Sequence, residues 1–363
     1  MSWATERARF RVLDRFAYLN AGSVGPLAQE TVAAMAATRE REVAEGRSGG
    51  AFFEEVLAQR ERVRALFAAG IGVATESVAL TSSTTQGVQV VVVGLGLGPD
   101  DEVVTTDSEH FGLTGPLLGA GVRLRIAQLR ERPVERTFDT IRALVTPRTR
   151  LIALSAVSWL DGRLFPWREL REATGVPVLV DGAQSVGAIA VDAREADFYT
   201  VSGQKWLCGP DATGALAIRD PDRLRPRLIS YPSAAAYDIA RGTWEPQAGA
   251  LRFDPGFTPP GSLAGLEAAL TGLPDGRFER AAELVARCRE LLLEAGLDVL
   301  TEPGQATLVA FRAPGEPAET VASLHASGVV VRSLPSTDWL RASVGWWNDE
   351  SDLERLVAAL RDR

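Results

Sequence analysis

Lys205 stands in the run Ser202-Gly203-Gln204-Lys205-Trp206-Leu207-Cys208-Gly209-Pro210, flanked by apolar stretches that read as buried strands. A lysine is costly to bury as a cation, so its pKa should fall. An amine that has lost its proton is the nucleophile for a Schiff base. About twenty residues earlier comes Val180-Asp181-Gly182-Ala183-Gln184. A carboxylate at the end of a buried strand needs a cationic partner or a set of donors. The run Thr81-Ser82-Ser83-Thr84-Thr85-Gln86-Gly87 offers hydroxyls and free backbone N–H groups at a helix start, which together make an anion site suited to phosphate. In Ser108-Glu109-His110, the histidine could stack on a flat aromatic ligand or shuttle a proton. Each group alone has a plainer reading: a solvent-facing lysine, two helix N-caps and a hydrogen-bonded loop histidine.

The four groups follow four separate strand candidates. From about residue 77 to 218, β-branched runs at Val78–Thr81, Glu102–Thr105, Val122–Ile126, Leu151–Leu154, Val178–Asp181, Phe198–Val201 and Ala215–Ile218 alternate with helical patterns such as Thr137–Leu144 and Arg168–Ala173. That alternation predicts an α/β domain with a mostly parallel sheet. Ligands in such sheets sit at the carboxyl ends of strands, where all four groups fall. One stretch pulls the other way: Val90–Val93 has strand propensity, and a phosphate cup at 81–87 needs it helical. A loop-rich stretch with five prolines, Tyr231–Pro260, precedes helical patterns at Leu263–Leu270 and Arg277–Ala295. Short strands follow at Thr307–Arg312 and Val329–Ser333, then a closing helix at Ser351–Arg361. The expected division is a large α/β domain over residues 16–245 and a small α+β domain over 246–363 that also takes in 1–15.

The chain has 363 residues, beyond the roughly 250–300 at which one core stops growing. Its net charge of −8 argues against nucleic acid as the main partner. Two cysteines, Cys208 and Cys288, and two histidines, His110 and His325, form no CxxC or HExxH spacing, so no metal site is expected. The first seven residues carry acid and base without an apolar run, unlike a signal peptide. The longest apolar stretch, near Val88–Leu97, is far short of the ~20 residues that span a bilayer. A cytoplasmic protein without membrane contact is the expectation.

Taken together, in this order and spacing, the motifs resemble the class V aminotransferase group of fold-type I enzymes that use pyridoxal 5'-phosphate (PLP). Cysteine desulfurases, isopenicillin N epimerase and related lyases belong to that group. The resemblance runs from Tyr18-Leu19-Asn20-Ala21-Gly22 to Leu340-Arg341-Ala342-Ser343-Val344-Gly345, and Asp181-x-x-Gln184 followed by Ser202-x-x-Lys205 is its most specific part. It implies a large domain with a seven-stranded sheet and an enzyme acting on a small amino acid through a Schiff base and a quinonoid intermediate. By that resemblance Lys205 carries the cofactor, Asp181 pairs with its ring nitrogen, Gln184 lies near its phenolic oxygen and His110 stacks on its ring. Thr84 and Thr85 match the phosphate loop, and Ser202 with Gln204 its other wall. Gly261-Ser262 resembles a pair that reaches the phosphate from a neighbouring subunit, which implies a homodimer with shared active sites. Arg341 matches the residue that binds the substrate α-carboxylate, with Arg332 as a rival and Asn20 beside it.

The sequence departs from the desulfurase pattern at two places. Gln204 stands where many desulfurases have histidine, and it cannot act as an acid. The sulfur-accepting cysteine of the small-domain loop has no counterpart in Val331–Leu340, and Cys208 and Cys288 read as small core residues. The expected activity is that of an aminotransferase-family enzyme; C–S lysis and epimerisation share the same intermediate and stay open, and a PLP-binding protein without turnover is the lesser alternative. Trp159, Trp244, Trp339, Trp346 and Trp347 either line a substrate pocket or pack in the core and interfaces.

Overall fold

The structure, a computed structural model, describes residues 2–361. All seven expected strands are present and form one sheet. Across it run Val78–Thr81, Gly214–Ile218, Phe198–Ser202, Val178–Asp181, Thr149–Ser155, Glu102–Thr106 and Arg123–Ala127. Gly214–Ile218 is antiparallel to both of its neighbours, and the other strands run parallel to one another. Five of the seven are buried along their whole length, as a sheet covered on both faces requires.

Val90–Val93 lies inside a helix, Thr84–Leu95. Val88, Val90, Val91 and Val92 pack under Leu216, Phe198 and Leu179 of the sheet. Burial of about 1.5–3 kcal/mol per such side chain outweighs a propensity cost of a few tenths each. The stretch expected to be loop-rich contains a β-hairpin, Ala234–Asp238 with Thr243–Pro246, and Val329–Ser333 is broken into Val329–Val330 and Arg332–Ser333. Helices Gln29–Glu45 and Gly50–Ile71 were not anticipated.

The small domain is a three-stranded antiparallel sheet with Trp339–Ser343 between Leu308–Arg312 and Arg332–Ser333. Helices Arg277–Glu294, Pro317–Ala326 and Glu350–Arg361 cover it through Leu284, Leu292, Leu324, Leu353 and Leu356. A strap near the N-terminus joins the two domains. Ala17–Tyr18 pairs in parallel with Val329–Val330, and the Leu19 carbonyl accepts from Ser343 N at 2.7 Å. Further on, Gly25 N donates to the Gln204 carbonyl at 2.8 Å.

Asp254 anchors the first strand of the large sheet. Its buried carboxylate accepts from Arg60 (2.6 Å), Arg64 (2.9 Å) and Leu80 N (2.8 Å), and Arg64 also donates to the Val78 carbonyl. Removing the acid leaves the buried Arg60 without a carboxylate partner and Arg64 with the exposed Glu61 alone. Asp254→Ala should cost about 3–5 kcal/mol in denaturant unfolding, several times the effect of Asp222→Ala in the exposed Arg252–Asp222 pair.

Candidate active site

Lys205 is the single lysine of the chain; every other basic residue in the Lys+Arg total of 39 is arginine. It follows the end of Phe198–Ser202 and sits half-buried, with no carboxylate in ion-pair range among the described residues. Desolvation lowers its pKa to about 8, helped by the positive charges of Arg341 and Arg332 and opposed by Asp181. Asp181 ends its strand 3 % exposed; its Oδ1 accepts from Ala183 N at 2.9 Å and faces Thr200 Oγ1 at 3.4 Å. The His110 ring is open at the cleft surface but desolvated by the surrounding walls. That and the Lys205 charge lower its pKa. Its Nδ1 accepts from Gly112 N at 3.0 Å, so Nε2 is the free ring nitrogen. His110 responds to the charges of Lys205, Asp181, Arg332 and Arg341, so the five groups lie within electrostatic reach of one another.

The anion end of the site is built at the start of the Thr84–Leu95 helix. Ser83 is its N-cap and accepts from Gln86 N at 3.1 Å, while Gln86 Oε1 accepts from Ser82 N at 2.7 Å. The backbone N–H groups of Thr84 and Thr85 find no acceptor among the described residues. Ser202 is buried at the end of its strand, and Gln204 Oε1 is buried without a partner.

Arg341 is fully buried on the central strand of the small sheet. Its Nη1 donates to the Trp159 carbonyl at 2.5 Å, and its Nε and Nη2 have no partner. Burial and Arg332 bring its pKa down to about 9. Arg332 is directly opposite on the neighbouring strand, its guanidinium 5.6 Å from the Trp159 ring centre. Gly22 lets the strap pass beside Arg341: a β-carbon there would lie 2.6 Å from Nη2.

Not every candidate points into this space. Gln184 is spent largely on the protein, donating to the Gly22 carbonyl (2.8 Å) and accepting from Trp206 Nε1 (2.8 Å). Asn20 Oδ1 accepts from Ser23 Oγ at 2.8 Å. Ser262, in the first turn of helix Pro260–Thr271, makes no side-chain hydrogen bond with any other candidate. Of the tryptophans, Trp346 and Trp347 are packed with Phe10 and Trp206, and Trp339 is buried in the small domain. Trp159 reaches the site: its ring meets His110 edge-on at 5.0 Å. Sequence reasoning passed over one signal, the uniqueness of the lysine, and missed Glu109, which carries none.

The residues fit PLP on their own chemistry. An unpaired amine of lowered pKa suits an aldehyde, free N–H groups at a helix start suit a phosphate, and a buried carboxylate suits a ring nitrogen. Unpartnered Arg341 Nε and Nη2, Ser343 Oγ and Gln204 Oε1 leave buried polar atoms for a ligand to satisfy. Fold and site define a PLP-dependent enzyme of fold type I. The chain matches the aminotransferase class-V family over residues 17–356, and it belongs to that family. It is 28% identical over 394 residues to isopenicillin N epimerase of Streptomyces clavuligerus, spanning 99% of this chain and 97% of that one. It is 30% identical over 404 residues to a cysteine desulfurase of Klebsiella pneumoniae, covering 99% and 98%. Among solved structures, a C-DES mutant with glycine covalently linked to the PLP cofactor superposes with a TM-score of 0.91 at 25% identity over 98% of this chain and 99% of that one. The cystine C-S lyase C-DES with its product cysteine persulfide gives 0.89 at 25% identity, over 97% and 99%. Among the described residues, no helix is long and apolar enough to cross a membrane.

With one lysine in the chain, borohydride reduction of the PLP-loaded protein should place a pyridoxyl group on a single side chain, and Lys205→Ala should abolish that adduct. In the protein free of PLP, modification of Lys205 by an amine reagent should rise through about pH 8 instead of the ordinary 10.5, because the neutral amine is the reactive form and burial favours it. Peptide mapping across a pH series checks both.

Proposed function

We propose that the protein is a PLP-dependent C–S lyase that acts by β-elimination on a small sulfur-containing amino acid. The observation that carries this reading is the state of the cysteines. Both are buried, with the Cys208 thiol pushed far up and the Cys288 thiol to about 12, and residues 331–340 contain none. A protein thiol that accepts sulfur must be exposed and readily ionised. Without one, sulfur departs on the leaving group. The similarity to the cystine C-S lyase C-DES supports the same outcome.

When bound, PLP supplies an electron sink for the pair released when a bond at Cα breaks. The chain's residues do the rest. Asp181 would hold a proton on the ring nitrogen, and His110 would cover the ring. Thr84, Thr85, Ser202 and Gln204 would hold the phosphate end, and Gln184, with one N–H left after its bond to Gly22, would serve the phenolic oxygen. Arg341 offers Nε and Nη2, the edge of a guanidinium that grips a carboxylate by two parallel bonds, and so fixes which Cα bond is aligned for cleavage. Asn20, on the strap beside Ser343, helps shape that end. Lys205 takes the proton from Cα and returns it to the product. The overall change balances with water as the second reactant: R–S–CH2–CH(NH3+)–COO− and H2O give RSH, pyruvate and ammonium.

We infer further that the protein is a cytoplasmic homodimer in which Ser262 reaches the partner's phosphate end. In its own protomer Ser262 bonds none of the site residues. Val43, Phe53 and Ile239 are large apolar groups left 81%, 51% and 83% exposed.

Incubation with cystine and related thioethers should give pyruvate, ammonium and thiol or persulfide in equal amounts, with no keto acid added. A requirement for a keto-acid acceptor would instead assign transamination, and inversion at Cα with sulfur retained would assign epimerisation. Cys208→Ser and Cys288→Ala should keep turnover. Arg341→Ala should lower kcat/KM by on the order of 100-fold, the equivalent of about 3 kcal/mol for a lost buried charge contact.

A further inference from the structure

Glu109 has no part in the chemistry just described, yet it is among the most constrained acids in the chain. It is 9% exposed, and no basic side chain pairs with its carboxyl among the described residues. One oxygen meets Ser155 N (3.0 Å) and Ser155 Oγ, and the other meets Thr106 Oγ1 (3.0 Å). Thr106 ends the strand Glu102–Thr106, Ser155 ends Thr149–Ser155, and Ser155 stands in register with Asp181 on the next strand. The like charge of Asp181 acts on Glu109, and the groups bonded to its carboxyl are two hydroxyls and one N–H. The residue that follows it is His110.

We propose that Glu109 is a positioning residue that works as a neutral carboxylic acid, tying Thr106 and Ser155 together beneath His110 and leaving Asp181 as the sole negative charge under the cofactor ring. Two buried carboxylates within electrostatic reach do not both ionise cheaply, and the cations near this pair serve Asp181. A neutral acid keeps the same hydrogen bonds and donates one of them. Burial pushes the Glu109 carboxyl up to about 7 while its bonds to Ser155 and Thr106 pull it down, in keeping with that geometry. As pH rises through that range Glu109 gains charge, a second anion forms beside Asp181, and the hydroxyl contacts rearrange. The inference rests on the cofactor reading of the site.

The test is infrared difference spectroscopy of the holoenzyme across pH 5–9, alongside the pH dependence of the cofactor's visible absorbance. The wild type should show a protonated-carboxyl band that is lost with a midpoint near neutral pH, accompanied by a step in the visible absorbance. Glu109→Gln, which mimics the neutral acid at every pH, should lack both the band and the step. Ser155→Ala, a milder change, removes a donor to the carboxylate form and should move the midpoint upward. No such band in the wild type at pH 5–6, or the same band and step in Glu109→Gln, would overturn the proposal. Failure of the cofactor reading looks different: PLP then binds neither wild type nor variant, and no visible band appears to titrate.

Discussion

Two arginines and a lysine share a space in which no acid pairs with any of them at contact distance. Arg341 is wholly buried, Arg332 lies across from it, and Asp181 reaches Lys205 only through space. A charge as buried and unpaired as that of Arg341 costs several kcal/mol, and a chain selected for stability alone would not keep these three cations together. They make sense as one half of a complementary set, with the other half supplied by the carboxylate of an amino acid and the phosphate of the cofactor. Desolvation, together with the same excess of positive charge, lowers the Lys205 pKa to about 8 and so enlarges the share of neutral amine. Affinity for anions and nucleophilicity of the amine are thus two results of one electrostatic deficit.

The scaffold is rigid where that deficit is held. Asp181 ends a central strand of the large sheet, and Arg341 lies in the middle strand of the small one, where each has paired backbone on both sides. The anion-binding turn follows directly from the strand that Asp254 anchors through Arg60 and Arg64. Groups that must hold charge against the cost of burial are carried by elements that cannot relax away from the strain.

Much of this was legible in the chain. The seven strands of the large sheet follow from β-branched runs bounded by turn residues, and the four chemical groups fall at strand ends because parallel sheets place them there. Val90–Val93 misled because four valines carry local strand preference, and only the tertiary pocket under Phe198 and Leu216 makes the helix the better solution. Helices Gln29–Glu45 and Gly50–Ile71 were missed because charged residues are spread around them with little apolar periodicity. Glu109 could not be singled out because its neighbours Ser155 and Asp181 are 46 and 72 positions away in sequence, brought alongside only by the order of strands in the sheet. The Trp159 carbonyl that holds Arg341 was hidden for the same reason: backbone acceptors have no residue signature.

The strap from Ala17 to Gly25 has a mechanical consequence. One end is stitched by main-chain bonds to Val330 and Ser343, the other to the carbonyl of Gln204, next to the amine-bearing residue. Side chains reinforce it between those ends, with Gln184 donating to the Gly22 carbonyl and Arg332 to Ser23 Oγ, and a β-carbon at Gly25 would collide with the Lys205 carbonyl. A rotation of the small domain has two outcomes: it shears those bonds, or it tugs the lysine loop along with it. The gripping of a carboxylate at one end is thereby linked, through nine residues of backbone, to the placement of the proton acceptor at the other.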